Sequence, residues 1–315
     1  MNIQSKWVAI AAAALLAAAP FAMAQNEGQG QGQATVTVLP KGNVPAAGVA
    51  QNTVHVMVDG RKARITQWQS DQGAGAPVEL VLLIDDSARL SLGRELGDIR
   101  HFVRVLPPNV KFAMAYMEYG QATLAGPLTT DRDRALKELH LPAGVPGANA
   151  SPYFCLSWLA KHWPSNDPAA RREVIMITNG VDYYDPQFDL EDPYVQSSIR
   201  DSLKAGLVVY SIYWQDTGLF NRTGYATNLG QDLLSEVAEA TGGELYWIGY
   251  SNPVSLTPYF DNFLLRLKNQ YELGFNVPLR GKPQVETLKV KVAVPAVKVT
   301  APRKAWVALA GANPE

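Results

Sequence analysis

Three short polar stretches hold the residues of this chain best placed to do chemistry: Asp85-Asp86-Ser87-Ala88-Arg89, Asn149-Ala150-Ser151-Pro152 and Thr178-Asn179-Gly180. In open α/β sheets ligands bind at the carboxyl ends of strands, and the first and third stretches each end an apolar run, VELVLLI and EVIMIT. Nucleophilic hydrolysis finds little to work with. His55, His101, His140 and His162 are scattered without a metal spacing, and no Gly-x-Ser-x-Gly elbow or phosphate-cradling glycine loop is present. Cys155 lies between Phe154 and Leu156 on an apolar helix face, where a thiol is buried and inert. Recognition is the better-supported chemistry. The stretch from Val181 to Tyr194, VDYYDPQFDLEDPY, sets Tyr183, Tyr184 and Phe188 among Asp182, Asp185, Asp189, Glu191 and Asp192. Trp214, Phe220 and Tyr225 follow the next apolar run. Aromatic side chains on loops suit partner contact, because they bury large areas at small entropy cost. The plainer reading is that they pin the loops to the domain.

These residues need a scaffold, and the pattern describes one. VELVLLI, EVIMITN and LVVYSIYW are unbroken apolar runs, as expected of interior strands of a parallel sheet. Between them, Leu92, Leu96, Ile99, Val103 and Leu106 fall at helical spacing. KFAMAYMEYG and ATLAGPLTT read as a strand pair, and helices are expected from Asp131 to His140 and from Ser151 to Trp163. Asp192-Pro193 is an N-cap signal for a helix ending at Gly206. A further helix, Leu229 to Thr241, closes at Gly242-Gly243, the strand ELYWIG follows, and Asn252-Pro253 opens a last helix. Regular alternation of strand and helix predicts an α/β, doubly wound, mainly parallel sheet over 78–270. Flanking it, 34–77 and 271–315 alternate as β segments that could pair with each other.

The three strand-end stretches resemble the metal-binding loops of the von Willebrand factor type A (vWA) family, over Val78 to about Leu267. The endings YELGFNVP, LKVKVAV and VTAPRKAWVA resemble those of exported bacterial vWA-related proteins of the acidobacterial type, with Ala305 and Trp306 where that ending has Gly and Tyr. The resemblance implies a metal-ion-dependent adhesion site in which Asp85 and Ser87 match the first loop, Ser151 keeps the hydroxyl of the second and Asn179 replaces an Asp in the third. Arg89 stands where that family has a second Ser, and a fixed positive charge there opposes a divalent cation. The expectation is a degenerate site with no cofactor, or weakly bound Mg2+, Mn2+ or Ca2+. The alternative is a rearranged working site in which Asp86 or Asp182 coordinates. Two other families place acids after a first strand. A receiver domain also needs a Lys after the fifth strand, and a haloacid-dehalogenase phosphatase needs Asp-x-Asp, where this chain has Ser87.

Residues 1–24 read as a cleavable signal peptide, with Lys6, an apolar stretch from Trp7 to Ala19 and Ala22-Met23-Ala24 before a first mature residue Gln25. That stretch is shorter than a membrane span. The expected location is periplasmic or secreted, without a membrane anchor. QNEGQGQGQ, 25–33, is polar and Gly-rich and is expected to be a flexible leader. The formal charge of −1 becomes −2 without Lys6, which disfavours nucleic acid as a partner. An exported module that binds another protein is the expected function, not an enzyme; an unrecognised hydrolase is the competing class.

Overall fold

The computed structural model describes residues 28–42, 48–70, 76–142, 151–185, 191–215, 224–249, 251–279 and 281–310. The N-terminal part supplies β1 (Gly28–Pro40), β2 (Val54–Val58), β3 (Arg61–Lys62) and β4 (Arg64–Ser70). The middle carries β5 (Val78–Asp85), α1 (Leu96–Val105), β6 (Val110–Glu118), β7 (Gln121–Leu124), α2 (Arg132–Lys137), α3 (Pro152–Lys161) and β8 (Arg171–Thr178). It continues with α4 (Pro193–Ala205), β9 (Leu207–Tyr213), α5 (Gly224–Thr241), β10 (Leu245–Tyr246) and α6 (Thr257–Leu267). The chain ends in β11 (Gln270–Leu279), β12 (Gln284–Val292), β13 (Val297–Thr300) and β14 (Lys304–Leu309).

The middle strands form one sheet in the order β10-β9-β8-β5-β6-β7, parallel except for β7. Every residue of β5 is buried, because both faces are covered. Side chains alternate across a strand, so Leu80, Leu82 and Ile84 pack with α1 and α6, while Val81 and Leu83 pack with α3, α4 and α5. VELVLLI, EVIMIT and LVVYSIY are interior strands, as expected of unbroken apolar runs. On the α1 side, Phe102 stacks on Phe260 at 4.1 Å and meets Phe263 edge-on at 5.9 Å.

A second sheet, wholly antiparallel, takes the strands from both ends in the order β3-β2-β12-β14-β1-β11-β4, with β13 also on β1. The chain is therefore α/β with two unlike sheets, and the expected mainly parallel sheet describes only the middle one. The flanking segments do pair: β11 lies between β1 and β4, and β12 runs against β2. Buried Arg266 of α6 ties the layers together, donating to Asn262 Oδ1 at 2.8 Å, to Thr300 Oγ1 at 3.3 Å and to Glu244.

Three expectations are corrected. The Gly/Gln stretch is not a flexible leader from Gly28 onward: residues 28–33 are the first half of β1, paired with β11. A Cβ on Gly32 would lie 2.5 Å from Phe275 Cζ, and one on Gly30 would lie 2.8 Å from Leu279 Cβ, so the glycines make room for neighbouring core side chains while the glutamines between them face water. The stripe that begins at Leu92 starts in a 3₁₀ helix, 86–95, before α1. Ser91 and Gly93 are poor helix formers, and the Ser91 hydroxyl donates to Ala88 O at 2.8 Å in competition with the backbone ladder. Finally, Asn252-Pro253 does not open α6. The helix starts at Thr257, where Asp98 of α1 accepts from Leu256 N at 2.8 Å and from Thr257 N at 3.3 Å. Asn252 instead holds Gln215, donating through Nδ2 to its carbonyl at 3.2 Å.

Candidate functional site

Counted within the middle sheet alone, the strand order is 3-2-1-4-5-6 with β5 first and β8 fourth. Connections reverse direction between those two strands, and the crevice beyond their carboxyl ends is where such sheets bind ligands. Asp85 ends β5 and Thr178 ends β8, and the Thr178 hydroxyl donates to Asp85 Oδ2 across the gap. Both side chains are buried.

Beyond Thr178 the chain folds back through small, polar turns. Gly180 N donates to Thr178 Oγ1 at 3.2 Å, and Val181 N donates to Asn179 Oδ1 at 2.9 Å. Gly180 has φ +70, and a Cβ there would lie 2.4 Å from Gly230 O, so this turn presses on the backbone of α5 and needs glycine on both counts. The next turn is built by Asp182, whose Oδ1 accepts from Tyr184 N at 2.8 Å.

Ser151 is the N-cap of α3 and joins the loops. Its Oγ accepts from Tyr153 N at 3.2 Å and donates to Asp182 Oδ2 at 2.9 Å. The Tyr153 hydroxyl donates to Gly180 O at 2.7 Å from the core below. Burial raises the Asp182 carboxyl to about 6, with the charge of Asp192 adding to it and hydrogen bonds from Tyr184, Ser151 and Asp185 opposing. Asp192 itself caps α4, accepting from Tyr194 N at 2.7 Å and Val195 N at 3.2 Å.

Asp85, through Thr178, and Ser151, through Asp182, are both bonded to the segment 178–182 that carries Asn179, while the side chains of Ser87, Asp86 and Arg89 lie outside the described residues. The hub of the network is Asp182, which the sequence pattern suggested only as a substitute ligand, together with the unassigned hydroxyl of Thr178. A carboxylate followed two residues on by a backbone N–H is the local signal that could have found Asp182.

The four aromatic contact candidates divide. Tyr184 is 57% exposed. Tyr183 is half-buried and accepts from Asn179 Nδ2 at 3.2 Å. Phe188 lies outside the described residues. Trp214 is buried in the core, its Nε1 donating to Ser91 Oγ at 2.9 Å, so the expectation of a partner contact fails there. Tyr184 belongs instead to an aromatic trio with Phe154 and Tyr194, at centroid distances of 5.1, 4.7 and 5.3 Å.

The Tyr119-Gly120 tip of the β6–β7 hairpin stands next to this trio. A Cβ on Gly120 would lie 3.7 Å from Phe154 Cβ. Tyr119 has φ +48, and left-handed backbone is costly for a bulky side chain, yet the ring is 85% exposed. Another hairpin tip in the same chain has nearly the same geometry, with Asp59 at φ 45 and Gly60 at φ 75, and carries Asp where the backbone favours it.

Other reactive groups are placed structurally. Cys155 is fully buried. His140 Nδ1 lies 2.8 Å from Leu141 O, and His162 Nδ1 lies 2.9 Å from Trp158 O. Among the described residues no three His, Cys, Asp or Glu side chains gather as a metal cluster, and no helix is long and apolar enough to cross a membrane.

Strand order and switch point make residues 78–267 an α/β domain with both faces of its sheet covered and a crevice at the carboxyl ends of β5 and β8. No protein-family model and no curated protein matches the chain. Solved structures similar to it include the conserved hypothetical protein BatB from Bacteroides thetaiotaomicron, 14% identical over 60% of this chain and 97% of that one, with a TM-score of 0.44. An aerotolerance-related membrane protein from Bacteroides fragilis is 15% identical over 60% and 98%, with a TM-score of 0.42. The SpRpn10 VWA domain is 12% identical over 59% and 95%, with a TM-score of 0.36.

Proposed function

We propose that this chain is an exported, vWA-type interaction module that binds another protein through its strand-end loops, with a degenerate adhesion site and no catalytic activity. The observation that carries this reading is the commitment of the crevice oxygens to the protein itself. Asn179 Oδ1 accepts from Val181 N, Ser151 Oγ donates to Asp182, and Asp85 Oδ2 accepts from Thr178. Mg2+ asks for near-octahedral oxygen ligands at short range, and an amide oxygen turned back onto its own loop does not fit that demand. The crevice instead works as a clamp that fixes loop shape and leaves Tyr184 at the surface.

What supports the non-catalytic reading, among the described residues, is the burial of the Cys155 thiol and the placement of one ring nitrogen of His140 and of His162 against a backbone carbonyl. Export rests on residues 1–24, which lie outside the described residues; N-terminal sequencing of envelope protein should return Gln25, and a start at Met1 would contradict it.

The test is affinity capture from the envelope fraction of the native host, with and without EDTA, using the mature chain and a Tyr183→Ala, Tyr184→Ala, Phe188→Ala variant. Capture that resists EDTA and is lost in the folded variant supports the module. Capture unchanged in the variant makes the loop structural only, and capture that requires a divalent cation restores the working metal site.

A further inference from the structure

Beside the crevice, four described segments combine exposed aromatic rings with acidic side chains. Tyr119, 85% exposed, and Tyr184, 57% exposed, flank half-buried Phe154 and Tyr194. The trio packs edge-to-face, so its rings are held in fixed orientations before any partner arrives. The four segments that carry the rings, 118–120, 151–154, 182–185 and 191–194, contain Glu118, Asp182, Asp185, Glu191 and Asp192 and neither Lys nor Arg. Asp182 and Asp192 are buried and shape the loops, whereas Glu118, Asp185 and Glu191 reach the surface. The Tyr194 hydroxyl already feels this field: its proton is held more tightly than usual, by desolvation first and then by Tyr184, Asp182, Asp185 and Asp192.

We propose that this patch docks a Lys- or Arg-bearing segment of another protein, with the cationic side chains over the tyrosine rings and beside Glu118, Asp185 and Glu191. The inference rests on the interaction role proposed above and adds the chemistry of the partner. A cation over a Tyr face is attracted by the ring quadrupole, and complementary potentials select one partner sign over the other. An acidic segment would meet like charge at Glu118, Asp185 and Glu191, and a purely apolar one would desolvate those carboxylates without compensation from a cation. The polarity is the reverse of recognition through a metal ion, which would bring a partner carboxylate to the crevice.

Fluorescence anisotropy on the mature chain tests it with three labelled twelve-residue peptides that alternate Ser with Arg, Gln or Glu. The Arg peptide should bind at least ten times more tightly than either of the others and weaken with added salt. Tyr184→Ala and Asp185→Asn should each weaken it three-fold or more, while Asp261→Asn, the same charge change at an exposed position on α6, should leave it unchanged. Equal binding of the Gln peptide, preference for the Glu peptide, or an equal loss in the Asp261 variant would overturn the proposal. The interaction role is read separately by affinity capture. A partner captured through Tyr184 by a segment without Lys or Arg overturns the cationic assignment and leaves that role standing, and no captured partner at all overturns both.

Discussion

Two residues carry most of what is unusual at the strand ends. Tyr119 occupies a left-handed hairpin position that Asn fills at less cost, so Tyr119→Asn should stabilise the fold by about 1 kcal/mol, read as a rise in urea midpoint. The same variant should bind its partner less well, which is the signature of strain kept for contact; a variant that loses stability would mean the ring is packed and not presented. Asp182 makes a pH prediction. Below pH 4 it is protonated whether the chain is folded or not; as pH rises toward about 6 the unfolded chain releases the proton first, and the folded state loses stability until both are ionised. Asp182→Asn removes that loss, so the stability of the variant relative to the parent should climb by at most about 2 kcal/mol between pH 4 and pH 7.5, allowing for solvent screening. A pH-independent difference in urea unfolding would show that Asp182 is not held protonated. The places of Asp85, Ser151 and Asn179 at two strand ends and a helix start were legible in the sequence, because apolar runs and a Ser-Pro cap act locally. Asp182 and Thr178 were not, since their importance comes from a hydrogen bond to another loop, and no local spacing records that.

Among the elements, the interior strands and the capped helix α4 were readable because unbroken apolar runs and Asp-Pro…Gly punctuation act locally. What failed to read was set by distant partners. Residues 28–33 have the composition of a linker, yet alternate glycines let β1 lie against Phe275, Leu279 and Val307. The start of α6 is chosen by Asp98, 158 residues earlier in the chain than Leu256, whose N–H it accepts. The first of these gives a direct check. A mature chain beginning at Ala34 should lose at least about 3 kcal/mol of stability in urea unfolding, because Phe275 and its neighbours lose cover from both pairing and packing. A true leader could be removed without effect, and that outcome would place β1 wrongly.

At the scale of the molecule, the mainly parallel α/β middle and the pairing of the two ends were legible in the sequence, but nothing there signalled that the ends build a sheet larger than the central one. That sheet buttresses the domain through Thr300, which accepts from Arg266, and through Gln270, which accepts from Arg171 at the start of β8, so the crevice lies at the other end of that strand. Hydrogen bonds from Thr178 to Asp85 and from Ser151 to Asp182 fix the loops on which the proposed docking face is built. The most direct measurement is photo-crosslinking in the native host with a benzophenone amino acid placed at position 184 or, as a control, at exposed Asp133 on α2. The proposed docking face predicts a discrete adduct with another protein from position 184, retained in EDTA, and none from position 133. No adduct from position 184, or one that disappears when divalent cations are removed, would contradict it.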